Sequence, residues 1–103
     1  MKLKSALWII AVALAPIAFA ADGAATYKAK CTTCHGVDGK GQTPMGKKMN
    51  LRDLGSPEVQ KQTDKQLHDW TANGKGKMPA YKDKLTDAEI NALVAQMRTF
   101  ATK

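Results

Sequence analysis

Apolar residues near the C-terminal end of the chain recur with a helical period. Ile90, Leu93, Val94, Met97, Phe100 and Ala101 step as i, i+3, i+4, i+7, i+10 and i+11, which sets them in one stripe down a helix. Ahead of the stripe, Thr86 and Glu89 have the spacing of a capping box, and Leu85 and Ile90 that of a hydrophobic staple. Thr63 and Gln66 repeat the capping box for a second helix through Leu67 and Trp70, which Asn73-Gly74 ends in a left-handed turn. Ser56-Pro57-Glu58 opens a short helix, with Ser56 as cap and the proline in the first turn, where its missing N–H costs nothing. At the front, Asp22 can cap a helix running to about Cys34, in which Ala24, Tyr27, Cys31 and Cys34 share a face. Residues 35–50 (HGVDGKGQTPMGKKMN) hold four glycines and Pro44 with hardly an apolar pair, and read as a loop ordered by packing on something else. No segment alternates with period two long enough to be a strand. The expected fold is all-α, built from three to five short helices.

The first twenty residues follow a different pattern. Lys2 and Lys4 precede an unbroken apolar run from Ala6 to Ala15, Pro16 interrupts it, and Ala18-Phe19-Ala20 places small residues where a signal peptidase reads them. This is the layout of a secretory signal cleaved after Ala20. The competing reading is a retained membrane anchor, but the sixteen residues from Ala6 to Ala21 fall short of the ~20 that span a bilayer as a helix. The division is then residues 1–20 as signal and residues 21–103 as one exported domain.

The domain is small. A single core below about 80 residues rarely supplies more than ~3–5 kcal/mol, so a staple is expected. A disulfide across two intervening residues would constrain the unfolded chain very little. Charge adds a further constraint. The full chain has 16 basic and 9 acidic residues, and without Lys2 and Lys4 the balance is 14 to 9, formally +5. That suits acidic partner surfaces. No helix-turn-helix or aromatic-interleaved basic stripe speaks for nucleic acid.

Residues 31–35, Cys-Thr-Thr-Cys-His, carry the chemistry. On a helix, Cys31 and Cys34 lie about one turn apart on one face, so their sulfurs can reach two vinyl groups along one porphyrin edge. His35 follows and can turn beneath the ring to ligate iron through Nε2. C-x-x-C-H is the attachment signature of c-type haem. A thioredoxin-type dithiol would need a βαβ surround, structural zinc would need four ligands, and a plain disulfide would leave His35 without a role. A haem also answers the need for a staple, as a flat apolar body around which short helices pack.

A second axial ligand has five candidates: Met45, Met49, Met78, Met97 and His68. Met97 belongs to the core stripe, and His68 beside Asp69 reads as a surface residue. Met45 and Met49 follow His35 too closely in the chain to reach the opposite face. Met78 lies 43 residues beyond His35, between Gly74-Lys75-Gly76-Lys77 and Pro79, in a loop long enough to wrap the ring. His with Met is a recurring ligand pair in cytochromes.

On these residues the chain resembles the class I c-type cytochromes, specifically small bacterial periplasmic mono-haem ones. The resemblance runs from Asp22 to about Phe100 and rests on CTTCHG at 31–36, NGKGKMPAY at 73–81 and the closing helix from Thr86. It implies one haem c, thioether bonds from Cys31 and Cys34, and axial bonds from His35 and Met78. It further implies a crossing of the Tyr27 helix over the last helix near Leu93, Val94 and Met97. Pro44 would match a loop proline whose carbonyl accepts a hydrogen bond from the proximal imidazole. Trp70 would match an aromatic residue packed on the haem, or else serve simply as core.

Six-coordinate iron leaves no open position for substrate. The leading expectation is therefore a soluble periplasmic electron carrier, likewise monomeric, meeting redox proteins through one haem edge. Two alternatives stand beside it: a haem enzyme or gas sensor in which Met78 does not bind, and a membrane-anchored cytochrome subunit of a larger oxidoreductase. Lysines 40, 47, 48, 75, 77, 82 and 84 fall in loops near His35 or Met78, against Asp38 and Asp83, and predict a positive rim around that edge.

Overall fold

The computed structural model describes residues 22–101, and the expected signal segment and cleavage site lie outside them. Six helices follow in order: α1 (Gly23–Lys30), α2 (Thr32–His35), α3 (Pro44–Lys48), α4 (Pro57–Gln60), α5 (Asp64–Asn73) and α6 (Asp87–Arg98). There is no strand among the described residues, only an isolated antiparallel bridge between Lys75 and Met78. The all-α reading holds, with more and shorter helices than the sequence pattern resolves.

The caps fall where short polar side chains invite them. Asp22 accepts from the Ala25 N–H at 3.1 Å, and Ser56 holds the start of α4. Both capping boxes are closed in both directions, Thr63 with Gln66 and Thr86 with Glu89. Each satisfies N–H groups that a helix start cannot pair internally. α5 ends at Gly74, whose φ of 75° is open to glycine at little cost.

Two boundaries differ from expectation. The first helix does not run unbroken to Cys34: α1 stops at Lys30, Cys31 sits at φ −116°, and α2 carries the chain through His35. The step is small, because the His35 N–H still reaches the Cys31 carbonyl at 2.9 Å and Thr32 Oγ1 bonds back to the Lys28 carbonyl at 2.7 Å. The glycine-rich loop also contains a helix, α3. Thr43 caps it and Pro44 opens it, the arrangement that Ser56 and Pro57 give α4.

α6 crosses α1 and packs along α5, and its stripe forms the middle of the core. Leu93 is fully enclosed and Ile90 nearly so, with Val94 and Met97 beside them and Tyr27, Val59, Leu67 and Leu85 around them. The crossing is close because Gly23 faces the Ala92 backbone with no room for a Cβ. Further along it, the Tyr27 and Phe100 rings meet at 5.1 Å, tilted by 55°, a favourable aromatic geometry. At the far end Arg98 ties α6 to the α4–α5 connection, donating to the Gln60 and Gln62 carbonyls at 2.8 and 2.6 Å and to Asp64.

His68 bridges α5 to the start of α6, its Nε2 2.6 Å from Asp87 and its Nδ1 3.3 Å from Asp69. Partial burial pulls its pKa down, but the hydrogen bonds and charges of the two carboxylates outweigh this and raise it. It is a surface clasp, as the sequence suggests.

Candidate haem site

The end of α1, α2 and the chain up to α3 form one wall of a cavity. Three successive carbonyls there are each held by a hydrogen bond from elsewhere. Thr43 Oγ1 donates to the Cys34 carbonyl at 2.7 Å, the Gly41 N–H to the His35 carbonyl at 2.8 Å, and the Tyr27 hydroxyl to the Gly36 carbonyl at 2.6 Å. Gly46 of α3 packs directly on the Gly41 and Cys34 carbonyls. The backbone carrying the cysteines and the histidine is thus fixed from three sides. Burial raises the Tyr27 hydroxyl pKa well above its ordinary value, so it remains a donor throughout the physiological range.

The opposite wall is the loop after α5. Lys75 and Met78 close a tight turn by exchanging backbone hydrogen bonds of 3.2 and 3.0 Å. The loop is fastened at its exit, where the Tyr81 N–H bonds to the Thr71 and Ala72 carbonyls at the end of α5. The Tyr81 hydroxyl reaches across to the Lys30 carbonyl at 3.4 Å, joining the two walls.

Between the walls lies a cavity of about 290 Å³. Cys31, His35 and Met78 line it together with Tyr27, Leu67, Trp70 and Met97, while Asn50, Arg52 and Lys75 stand among its polar lining. A smaller cavity of about 60 Å³ adjoins the same segment and is lined by Cys34, His35, Met49 and Met78 among others. The structure therefore brings Cys31, Cys34, His35 and Met78 to one place. Of the other candidate ligands, Met45 is 45% exposed and lines neither cavity, and His68 is engaged by its carboxylates. Met97 is a core residue that also faces the larger cavity. Trp70 answers to both of its readings, packing against the core cluster while lining the cavity.

The electrostatics suit a neutral ligand set. Burial lowers the His35 pKa, which keeps its imidazole uncharged and able to bind metal near neutral pH. Its Nδ1 is buried with no hydrogen-bond partner among the described residues. The expected bond to the Pro44 carbonyl is not made, since Pro44 opens α3 and a first-turn carbonyl points along its own helix. Burial, and then the neighbouring Cys34, push the Cys31 thiol up to about 11. A thiol of that kind is a poor nucleophile at neutral pH, unlike the low-pKa cysteine of a dithiol redox site. An apolar cavity, a neutral enclosed imidazole, a thioether and two thiols at attachment spacing fit an iron porphyrin.

Comparison with known proteins agrees. The family described as cytochrome c oxidase, cbb3-type, subunit III matches residues 18–97. The solved structure of the KustC0563 c-type cytochrome is 36% identical and superposes with a TM-score of 0.73, covering 79% of this chain and 99% of that one. Cytochrome c6C from Synechococcus sp. PCC 7002 is 28% identical with a TM-score of 0.60, covering 76% of this chain and 92% of that one. The c-type cytochrome XoxG from Methylobacterium extorquens AM1 shares the fold, with a TM-score of 0.56 at 23% identity over 82% of this chain and 54% of its own. No curated protein sequence matches the chain. With the CTTCH segment and the cavity it faces, these matches mean that the chain belongs to that family within the class I c-type cytochromes, binds haem c covalently, and is a c-type haem electron carrier.

Proposed function

We propose that the protein is a soluble periplasmic one-electron carrier whose haem is bonded to Cys31 and Cys34 and held axially by His35 and Met78. The observation that carries this reading is that an imidazole and a thioether from distant parts of the chain line one apolar cavity beside the attachment cysteines. Haem supplies reversible one-electron chemistry. The chain's own residues hold both ligands still: the three clamped carbonyls fix His35, and the closed Lys75–Met78 turn fixes Met78. Little then needs to rearrange between oxidation states. Thioether ligation favours the ferrous form and raises the potential.

An absorption spectrum of the mature protein, oxidised and reduced, together with its intact mass, tests the reading. Expected are low-spin spectra in both states, one haem that survives acid-acetone extraction, and a polypeptide beginning at Ala21. High-spin ferric iron would favour an enzyme or gas sensor with an open position. A mass retaining residues 1–20 in a membrane fraction would favour an anchored subunit. Among the described residues no helix is long and apolar enough to cross a membrane.

Partners are redox proteins, and we infer that they present acidic surfaces to a monomer. Lys40, Lys47 and Lys48 near the attachment segment and Lys75, Lys77 and Lys82 around the methionine loop are all exposed. Such a rim attracts an anion over a Debye length of about 8–10 Å at physiological salt. The second-order electron-transfer rate with an anionic reagent should fall as salt rises, and with a cationic reagent it should increase. Lys77→Glu should weaken the anionic dependence more than Lys103→Glu. Equal effects would show that net charge alone matters and that there is no local docking patch.

A further inference from the structure

The loop that carries Met78 is unevenly fastened. Its exit is held by backbone bonds from Tyr81 to Thr71 and Ala72. Its entry passes through Gly74 and Gly76, both at positive φ, and a Cβ at Gly76 would meet nothing within 4 Å. Between these ends a charged side chain reaches back to the body of the protein. Lys75 places its Nζ 3.9 Å from the centre of the Trp70 ring on α5. Trp70 is itself half-buried, packed on the core and in the wall of the larger cavity. Lys75 makes no ion pair among the described residues, whereas Lys65 and Arg52, both exposed, are each paired with a carboxylate.

The turn couples position 75 to position 78. Its two hydrogen bonds run between the same pair of residues, so outward movement of Met78 together with its turn pulls on the Lys75–Trp70 contact. We propose that the Lys75–Trp70 contact is a latch that sets how long Met78 stays on the iron, which makes both residues positioning residues for the sixth ligand. This rests on the assignment of Met78 as that ligand. An exposed cation–π contact is weak enough to open and strong enough to shift the open population by roughly two- to fivefold. The loop would then open without unfolding, because the Tyr81 bonds and the core beneath Trp70 stay in place.

The test is the rate at which imidazole displaces the native ligand in the ferric holoprotein, measured by stopped-flow at saturating imidazole so that loop opening limits it. Lys75→Gln is expected to raise that rate by roughly two- to fivefold. Lys75→Arg, which keeps a cation over the ring, should restore it, and Lys77→Gln, the same charge change one residue from Met78, should leave it near the wild-type value. Equal acceleration by Lys75→Gln and Lys77→Gln, or no rescue by Lys75→Arg, would overturn the latch while leaving Met78 as ligand. If the sulfur–iron charge-transfer band survives Met78→Ala, the ligand assignment fails, and the latch fails with it.

Discussion

Met78→Ala is expected to abolish the sulfur–iron charge-transfer band of the ferric protein and to lower the reduction potential by on the order of 0.1 V or more, within the ~0.8 V that axial ligands command. The haem should stay attached, because Cys31 and Cys34 sit on the opposite wall, in a segment whose Cys34, His35 and Gly36 carbonyls are held by Thr43, Gly41 and Tyr27 rather than by the methionine loop. The direction follows from ligand chemistry. A thioether is a weak donor that stabilises ferrous iron, and water or no ligand in its place favours the ferric state. Met45→Ala and Met49→Ala should keep the band. Met45 faces solvent, and Met49 lies in the smaller cavity on a helix cap beside the attachment segment. Loss of the band in Met49→Ala with its retention in Met78→Ala would move the sixth ligand to the other wall. Absorption in the near-infrared and a potentiometric titration of the three variants decide the matter.

The parts of this site that depend on local order were legible in the chain. Cys31, Cys34 and His35 declare themselves because attachment needs a fixed spacing, and that spacing is all the signal there is. The caps Asp22, Ser56, Thr63 and Thr86 are equally local, each a short polar side chain serving the N–H three residues on. The same rule covers Thr43-Pro44, yet the glycine-rich composition of residues 35–50 reads as a loop and leaves α3 unforeseen. A cap with proline directly after it carries more information than the glycine content of its surroundings.

What was not legible is the set of bonds that join distant segments through the backbone. Tyr27 to Gly36, Thr43 to Cys34 and Tyr81 to Lys30 all end on carbonyl oxygens, which every residue owns and which leave no mark in a sequence. The Pro44 expectation failed for a related reason. A carbonyl's direction is set by the helix it belongs to, and α3 was not foreseen. Lys75 on Trp70 is five residues apart across a helix end, a spacing that brings nothing together in a continuing helix. The positive φ of Gly74 reverses the chain and makes that contact.

The second large effect is expected at Gly46, where Gly46→Ala should destabilise the holoprotein by about 3 kcal/mol. Gly46 is buried in α3, and an added Cβ would press on the Gly41 and Cys34 carbonyls. Both obstacles are backbone, so neither can rotate aside as a flexible side chain would. α3 would have to lift from the attachment segment. That strains the Thr43 hydroxyl's bond to the Cys34 carbonyl, the Gly46 N–H bond to Thr43, and the Leu51 N–H bond to the Gly46 carbonyl. Gly76→Ala separates this steric cost from backbone strain. It has open space around it but sits at φ 59°, where an L-residue costs about 1–2 kcal/mol. Guanidinium unfolding of the two holoproteins should therefore rank Gly46→Ala as the more damaging. Gly46→Ala should also shift the proton resonances of the His35 ring, because α3, and not the loop of Gly76, bears on the segment that holds the histidine. If Gly46→Ala unfolds at the wild-type midpoint, α3 does not press on the attachment segment, and the three-sided clamp on His35 loses one of its sides.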